Sequence, residues 1–419
     1  MTTDLESVRA TTSALQTAID DAAARGGGRI VIPAGVHVTG ALRLRSRTEL
    51  HLEAGAVLRF ATDPTLFPAI DARWEGERRE VHQPCLWARD ETDVSITGRG
   101  TIDGAGEAWW RAFREDPSSL ALPRPTLVGL HGCSRVEVSG VTLVNSPAWT
   151  LHPLLCDDVR ISGVRIVNPP DSPNTDGIDP ESCRNVRISD CHIDVGDDCI
   201  AIKAGSERSA ERVACENIAI ANCTMLRGHG GVVIGSEMSG GVRRVVIANC
   251  VFQGTDRGIR LKTRRRRGGI VEDVRVTNVV MDDVLSPLVI NPFYFCGPDG
   301  KLPHVADRAR HPVDAGTPRF RRIHLANVTA TRVRSCAGWV SGLPEAPIED
   351  LTLDDVVMTF APDAQPAVPA MADGVPAMAG EGLHVAFAAG VRIRGARIGA
   401  LAGGSVVEGD AVAWAEEGR

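Results

Sequence analysis

Between Asn174 and Lys262 the chain carries four short polar clusters in an apolar background: Asn174-Thr175-Asp176, Gly196-Asp197-Asp198, Gly228-His229-Gly230 and Arg260-Leu261-Lys262. Three carboxylates, an imidazole and two cations make a set for acid–base chemistry. Crowded carboxylates drive their pKa values apart, so one stays protonated while another is ionised. Such titrations are coupled and belong to the group rather than to a single residue. Paired carboxyl groups are also the apparatus of glycoside hydrolysis. Arginine and lysine beside them suit an acidic sugar, one as a two-pronged fork and the other as a point charge. None of this works unless the four clusters meet in space.

The surrounding pattern supplies a means. From Val136 onward the chain repeats apolar-x-apolar, two turn residues, apolar-x-apolar, as in Val159/Ile161/Val164/Ile166 and Val245/Ile247/Cys250/Phe252. Copies return at roughly 27-residue intervals, the mark of a solenoid. Alternation of period two means strands, and no helical pattern intervenes. A turn residue recurs as Asp190, Asn222, Asn249, Asn278, Asn327 and Asp355, types that tolerate left-handed backbone. Strand, turn, strand and loop, stacked coil on coil, describe a parallel β-helix. Cys191, Cys223 and Cys250 share one slot and read as small buried side chains.

On this frame Asp198, Gly230 and Arg257 hold one slot in successive coils, and Asp176 fits one coil earlier. Asp197 and His229 are equivalent, as are Lys203 and Lys262. Strands about 4.8 Å apart would bring these side chains into one patch. Stacked like charges repel, which argues against a purely structural role for the acids.

The chain has 419 residues, abundant glycine (43) and few aromatics (4%), a composition suited to short strands and tight turns. A net charge of -7 implies neither nucleic acid nor membrane as a partner. The N-terminal residues lack the basic and apolar regions of a signal peptide, and no stretch reaches the ~18 apolar residues of a membrane helix. Eleven cysteines, an odd number, point to reduced thiols and a cytoplasmic location. The pattern predicts a single domain over 1–419, with a capping element at 11–28 built on a helix from Thr12 to Arg25. That helix would bury Leu15, Ala18, Ile19 and Ala22. A long loop is expected at 285–322 and a mobile Ala/Pro-rich excursion at 362–382.

The four clusters, in this order, closely resemble the motifs of the polygalacturonases, glycoside hydrolase family 28, and the likeness runs from the glycines after the first helix to about Leu353. The resemblance implies an all-β fold, a right-handed parallel β-helix (a pectin-lyase-like solenoid) with an N-terminal capping helix. It also implies an inverting hydrolase of α-1,4-galacturonosidic bonds without a metal or other cofactor. Carried over by position, Asp197 is the general acid, Asp176 and Asp198 hold and activate the attacking water, and His229 tunes the acid. Arg260 and Lys262 grip a galacturonate carboxylate, joined by Tyr294, the chain's one tyrosine. Asn174, Lys203, Arg73 (in Arg73-Trp74-Glu75-Gly76) and His152 are further substrate-binding candidates, His152 equally a structural residue. Arg264 to Arg267 read as a solvated loop, or as an electrostatic aid toward a polyanion. A cytoplasmic enzyme meets imported oligogalacturonides rather than pectin, so exo action is expected. Competing readings are a hydrolase of rhamnogalacturonan or substituted galacturonan, a calcium-dependent eliminase, and a non-catalytic carbohydrate-binding β-helix. Oligomeric state is not legible.

Overall fold

A computed structural model of the protein describes residues 4–297 and 299–415. Two compact units follow one another, Met1–Asp197 and Asp198–Arg419.

The first unit opens with a helix, Leu5–Ala24, whose first turn is capped by the Asp4 side chain accepting from the Glu6 amide. It starts earlier than the expected Thr12, because Asp4 supplies a cap ahead of it. Val8, Ile19 and Ala22 are buried, whereas Ala18 faces solvent at the edge of the apolar stripe. Thr12 and Gln16 project from the helix to the backbone of Gly40 and Arg43, so the helix closes the edge of the first coil. The coils then rise as parallel strands. Gly28–Ile32 pairs with Thr48–Leu52, and the stack continues through Thr92–Gly98, Ser134–Ser139 and Asp157–Ser162 to Arg184–Ser189. The solenoid thus begins well before Val136. Its first coils were hard to read because their loops differ in length. A shorter stack holds Leu42–Arg43, Leu86–Arg89, Val128–His131 and Leu151–Leu154. An antiparallel hairpin, Ala69–Trp74 with Glu77–His82, leaves this stack.

The second unit repeats the scheme. Cys215–Ala221, Val242–Ala248, Ile270–Asp282, Arg319–Val333 and Ile348–Phe360 pair in parallel. So do Asp198–Ile202, Gly230–Gly235, Arg257–Lys262, Ser286–Asn291, Cys336–Ser341 and Glu381–Ala386. The recurring turn residues have the expected left-handed backbone, from Asn222 (φ 57°) to Asp355 (φ 48°). In the second unit their amides also bond rung to rung, Asn249 to Asn222, Asn278 to Asn249 and Asn327 to Asn278. Cys223 and Cys250 are buried, each thiol directed at the carbonyl two residues earlier. None of the eleven cysteines is in a disulfide.

The long excursion, expected from 285, follows Asn291, because Ser286–Asn291 pairs into the stack, and it contains a helical turn, Pro303–Ala306. The arginine run, expected as a solvated loop, instead pins this excursion down. Arg265 forms a two-pronged bond to Glu345 (2.6 and 3.0 Å) and donates to the carbonyls of His304, Asp307 and Ala309. Arg264 pairs with Glu207, and Arg267 with Glu237. Arg264, Arg265 and Arg267 are buried, and Arg266 alone of the four is exposed, because acidic partners far apart in sequence converge on the loop. Segment 362–380 is likewise held in place. Arg257 donates to the carbonyls of Val368 and Pro369, and Ala372 packs against Phe293 and Leu343.

Burial pushes the Glu345 carboxyl up, but its bonds with Arg265 outweigh this and hold it below its ordinary value. A depressed folded value means stability that is present above the unfolded pKa and is lost as pH falls through the folded one. Glu345→Gln leaves a buried guanidinium without its counter-charge, and should cost about 3 kcal/mol at neutral pH. Chemical denaturation at pH 7 measures this, and a midpoint within error of wild type would refute the clamp.

Candidate active site

In the first unit the segment 168–176 is tied by its own side chains. Asn168 accepts from the Ser146 amide and donates to Thr150 Oγ1, while Thr175, fully buried, bonds Ser172 through both side chain and backbone. This sets Asn174 in the left-handed region (φ 55°) and sends Asp176 inward, 3% exposed. The Asp176 carbonyl accepts from the Thr150 amide, which fixes the aspartate beside the start of the Leu151–Leu154 strand. Asp197 is half-buried at the end of this unit, and the chain passes to the second unit at the Asp197–Asp198 bond.

Arg73 and His152 meet at one buried carboxylate. Glu181, wholly inaccessible, accepts from Arg73 Nη1 (3.1 Å) and lies 3.0 Å from His152 Nε2. Burial pushes Glu181 up, but His152 and Arg73 outweigh it and keep the carboxyl below its ordinary range. Trp74, on the same hairpin as Arg73, stacks on Trp149 at 4.6 Å. His131 accepts a bond from the Trp87 indole at Nδ1, and burial, with His152 nearby, keeps it neutral. Arg73 and His152 therefore dock the hairpin in this structure. Glu181 was missed because nothing in its sequence neighbourhood distinguishes it from a surface acid.

In the second unit Asp198 begins its strand, and Arg260 and Lys262 lie on the strand two rungs away, further along than the slot that Asp198 shares with Gly230. Arg260 Nη1 reaches Asp198 Oδ1 at 3.3 Å and Lys262 Nζ reaches Oδ2 at 2.7 Å. All three are nearly inaccessible. Gly230 is the rung between them. A Cβ there would come within 3.4 Å of Asp198 Oδ1 and 3.6 Å of Arg260 Cδ, and closer still to Val233. The last glycine of Gly228-His229-Gly230 thus leaves the space through which these charges reach one another. Burial pushes Asp198 up, yet Lys262 and Arg260 together hold its carboxyl far below the ordinary range. Asp198 is consequently an ionised acceptor near neutral pH, unsuited to donate a proton. His229 is exposed, and its charge also favours ionised Asp198.

Tyr294 lies beside this pair, its ring centroid 5.2 Å from Lys262 Nζ and 5.7 Å from the Arg260 guanidinium carbon. Burial raises its phenol well above the ordinary value, so it stays neutral. Lys203 shares the outer slot with Lys262 and pairs with Glu237 at 3.5 Å. Burial pushes Glu237 up, but Lys203, Arg267 and Lys262 outweigh that and keep it ionised. Glu237 and Met371, whose sulfur lies 3.0 Å from Arg260 Nη2, were invisible to sequence reasoning. Both arrive from loops without periodicity.

Residues 27–360 match the model of glycosyl hydrolases family 28. A probable polygalacturonase of Vitis vinifera is 33% identical over 84% of this chain and 72% of its own. An endo-polygalacturonase of Pectobacterium carotovorum subsp. carotovorum is 32% identical, over 68% of this chain and 72% of its own. Among solved structures, a hyperthermoactive exopolygalacturonase of Thermotoga maritima superposes with a TM-score of 0.74 and 30% identity, covering 92% of this chain and 88% of the other. The expected fold class, a right-handed parallel β-helix with an N-terminal helix, is the fold of this chain.

Removing the nearer cation should expose the electrostatics of Asp198. Its depressed carboxyl contributes stability above its unfolded pKa, lost only as pH falls through the much lower folded value. In Lys262→Met that loss should begin nearer the ordinary carboxylate range, about pH 4. Thermal melting from neutral to strongly acidic pH compares the two proteins, and parallel profiles would contradict the assignment.

Proposed function

The chain belongs to glycosyl hydrolases family 28, and on that premise we propose that it hydrolyses α-1,4-galacturonosidic bonds of oligogalacturonides with inversion. The observation that carries this reading is Asp198 held ionised by Arg260 and Lys262 beside Tyr294. A carboxylate locked in its charged form is fit to orient and activate water. Asp197, half-buried at the adjoining position, is then the proton donor to the glycosidic oxygen, with Asp176 sharing the water and His229 tuning the donor. The two cations, already in a low-dielectric setting, attract the carboxylate of the sugar.

Relatives include both exo- and endo-acting enzymes, so family membership does not choose between them. Exo action draws its support from the second unit. There the segment around Met371 lies on Arg260 and bonds Asn291 and Phe295 through its carbonyl. Such a wall over the cation pair favours a short, end-on ligand over a polymer running through. The free thiols fit a reducing compartment, and the cytoplasm is the proposed location.

Purified protein should release reducing ends from a defined oligogalacturonide, with monomer as the first product seen by chromatography. A ladder of intermediate lengths would replace exo by endo action, and no hydrolysis of any galacturonide would refute the reaction. Asp197→Asn should lower kcat by at least about 100-fold, the scale of a general-acid contribution, with an unchanged melting temperature. Cell fractionation should place the protein with soluble cytoplasmic markers, and recovery from the medium would overturn that location.

A further inference from the structure

Arg124 lies between two prolines in a segment with no regular structure, yet it is only 3% exposed. Its Nη1 donates to the carbonyls of Pro147 (2.7 Å) and Pro173 (2.8 Å), and its Nη2 to Asn174 Oδ1 (2.7 Å). Its guanidinium lies over the Phe113 ring at 4.1 Å. Burial pulls it down to about 10, with Glu75 and Asp176 opposing that shift, so it remains a cation at neutral pH.

A guanidinium only donates, so the Asn174 atom facing it must be the carbonyl oxygen. The amide nitrogen of Asn174 is thereby turned the other way. Asn174 and Arg124 line a cavity of about 230 Å3 with Trp74, Glu75, Arg79 and Phe113. That is smaller than the ~300 Å3 at which drug-sized pockets begin, and it suits one sugar ring rather than a chain. Asn174 stands two residues before Asp176, in the stretch locked by Thr175 and Ser172.

We propose that Arg124 is a positioning residue that acts through Asn174. It holds the side-chain amide so that the nitrogen donates into this cavity, to a carboxylate or hydroxyl oxygen of the sugar bound beside Asp176. The idea rests on the oligogalacturonide reading above and assigns the specificity of one sugar position to a residue outside the four motifs. Asn174→Asp keeps an acceptor for Arg124 and abolishes the donor. Arg124→Met abolishes the clamp, and Arg124→Lys retains the charge and part of the donation.

The test is a double-mutant cycle on oligogalacturonide, read as KM and kcat, with digalacturonate affinity measured by calorimetry. Asn174→Asp and Arg124→Met should each raise KM about 10-fold with a smaller change in kcat. The double variant should be no worse than the more affected single one, because both remove the same donated bond. Arg124→Lys should recover part of the loss and stands in if Arg124→Met does not fold. Effects that multiply in the double variant, or an unchanged KM in a folded Arg124 variant, would overturn the proposal. If wild type binds digalacturonate without hydrolysing any galacturonide, the reaction falls, and the same cycle read as Kd decides the role of Arg124.

Discussion

The register of parallel strands governs how this chain assembles its chemistry. Rungs about 4.8 Å apart put residues of the same slot on top of one another, whatever the length of the loops between them. In the second unit Arg260, whose own neighbour on the middle rung is Val233, crosses two rungs to reach Asp198 through the space left by the missing side chain of Gly230. A spacing rule, a glycine and three charges therefore form one arrangement. Changing either cation alters the protonation of Asp198.

Charge compensation sets the second level of organisation. The strands that carry the second-unit site residues are buried along their whole length, because loops cover their outer face. Ionised groups persist there only with partners. Asp198 has Lys262 and Arg260, Glu237 has Lys203 and Arg267, and Glu345 has Arg265. The first unit shows the same logic at Glu181, shared by Arg73 and His152. Basic residues that looked available for a polyanion are in large part committed to the protein's own carboxylates. Selectivity for an acidic ligand then depends on which of those cations can exchange one partner for another.

Outer turns follow a different economy. Left-handed Asn and Asp residues recur from coil to coil through the middle of the stack, and the asparagine amides of the second unit bond in a column. Each such residue tolerates an otherwise costly conformation and gains a neighbour of its own kind. This repetition keeps the strands in phase, so the slots near the site inherit their alignment from turns on another edge of the coil.

Local chemistry and periodicity were enough to read the repeat, the turn residues and the four polar clusters, because strand alternation and left-handed tolerance are properties of neighbouring residues. They also sufficed for the shared slots of Asp198 with Gly230 and of Lys203 with Lys262. Partners that come from irregular segments could not be read this way. Arg124, Glu237 and Met371 belong to no repeat, Glu181 is bridged to Leu154 in the stack but carries no motif of its own, and the burial of Arg264, Arg265 and Arg267 depends on acids dozens of residues away. Whether a charged side chain is solvated, paired or turned toward a ligand is decided by what packs over it. For this chain only the tertiary structure brings those covering loops into place.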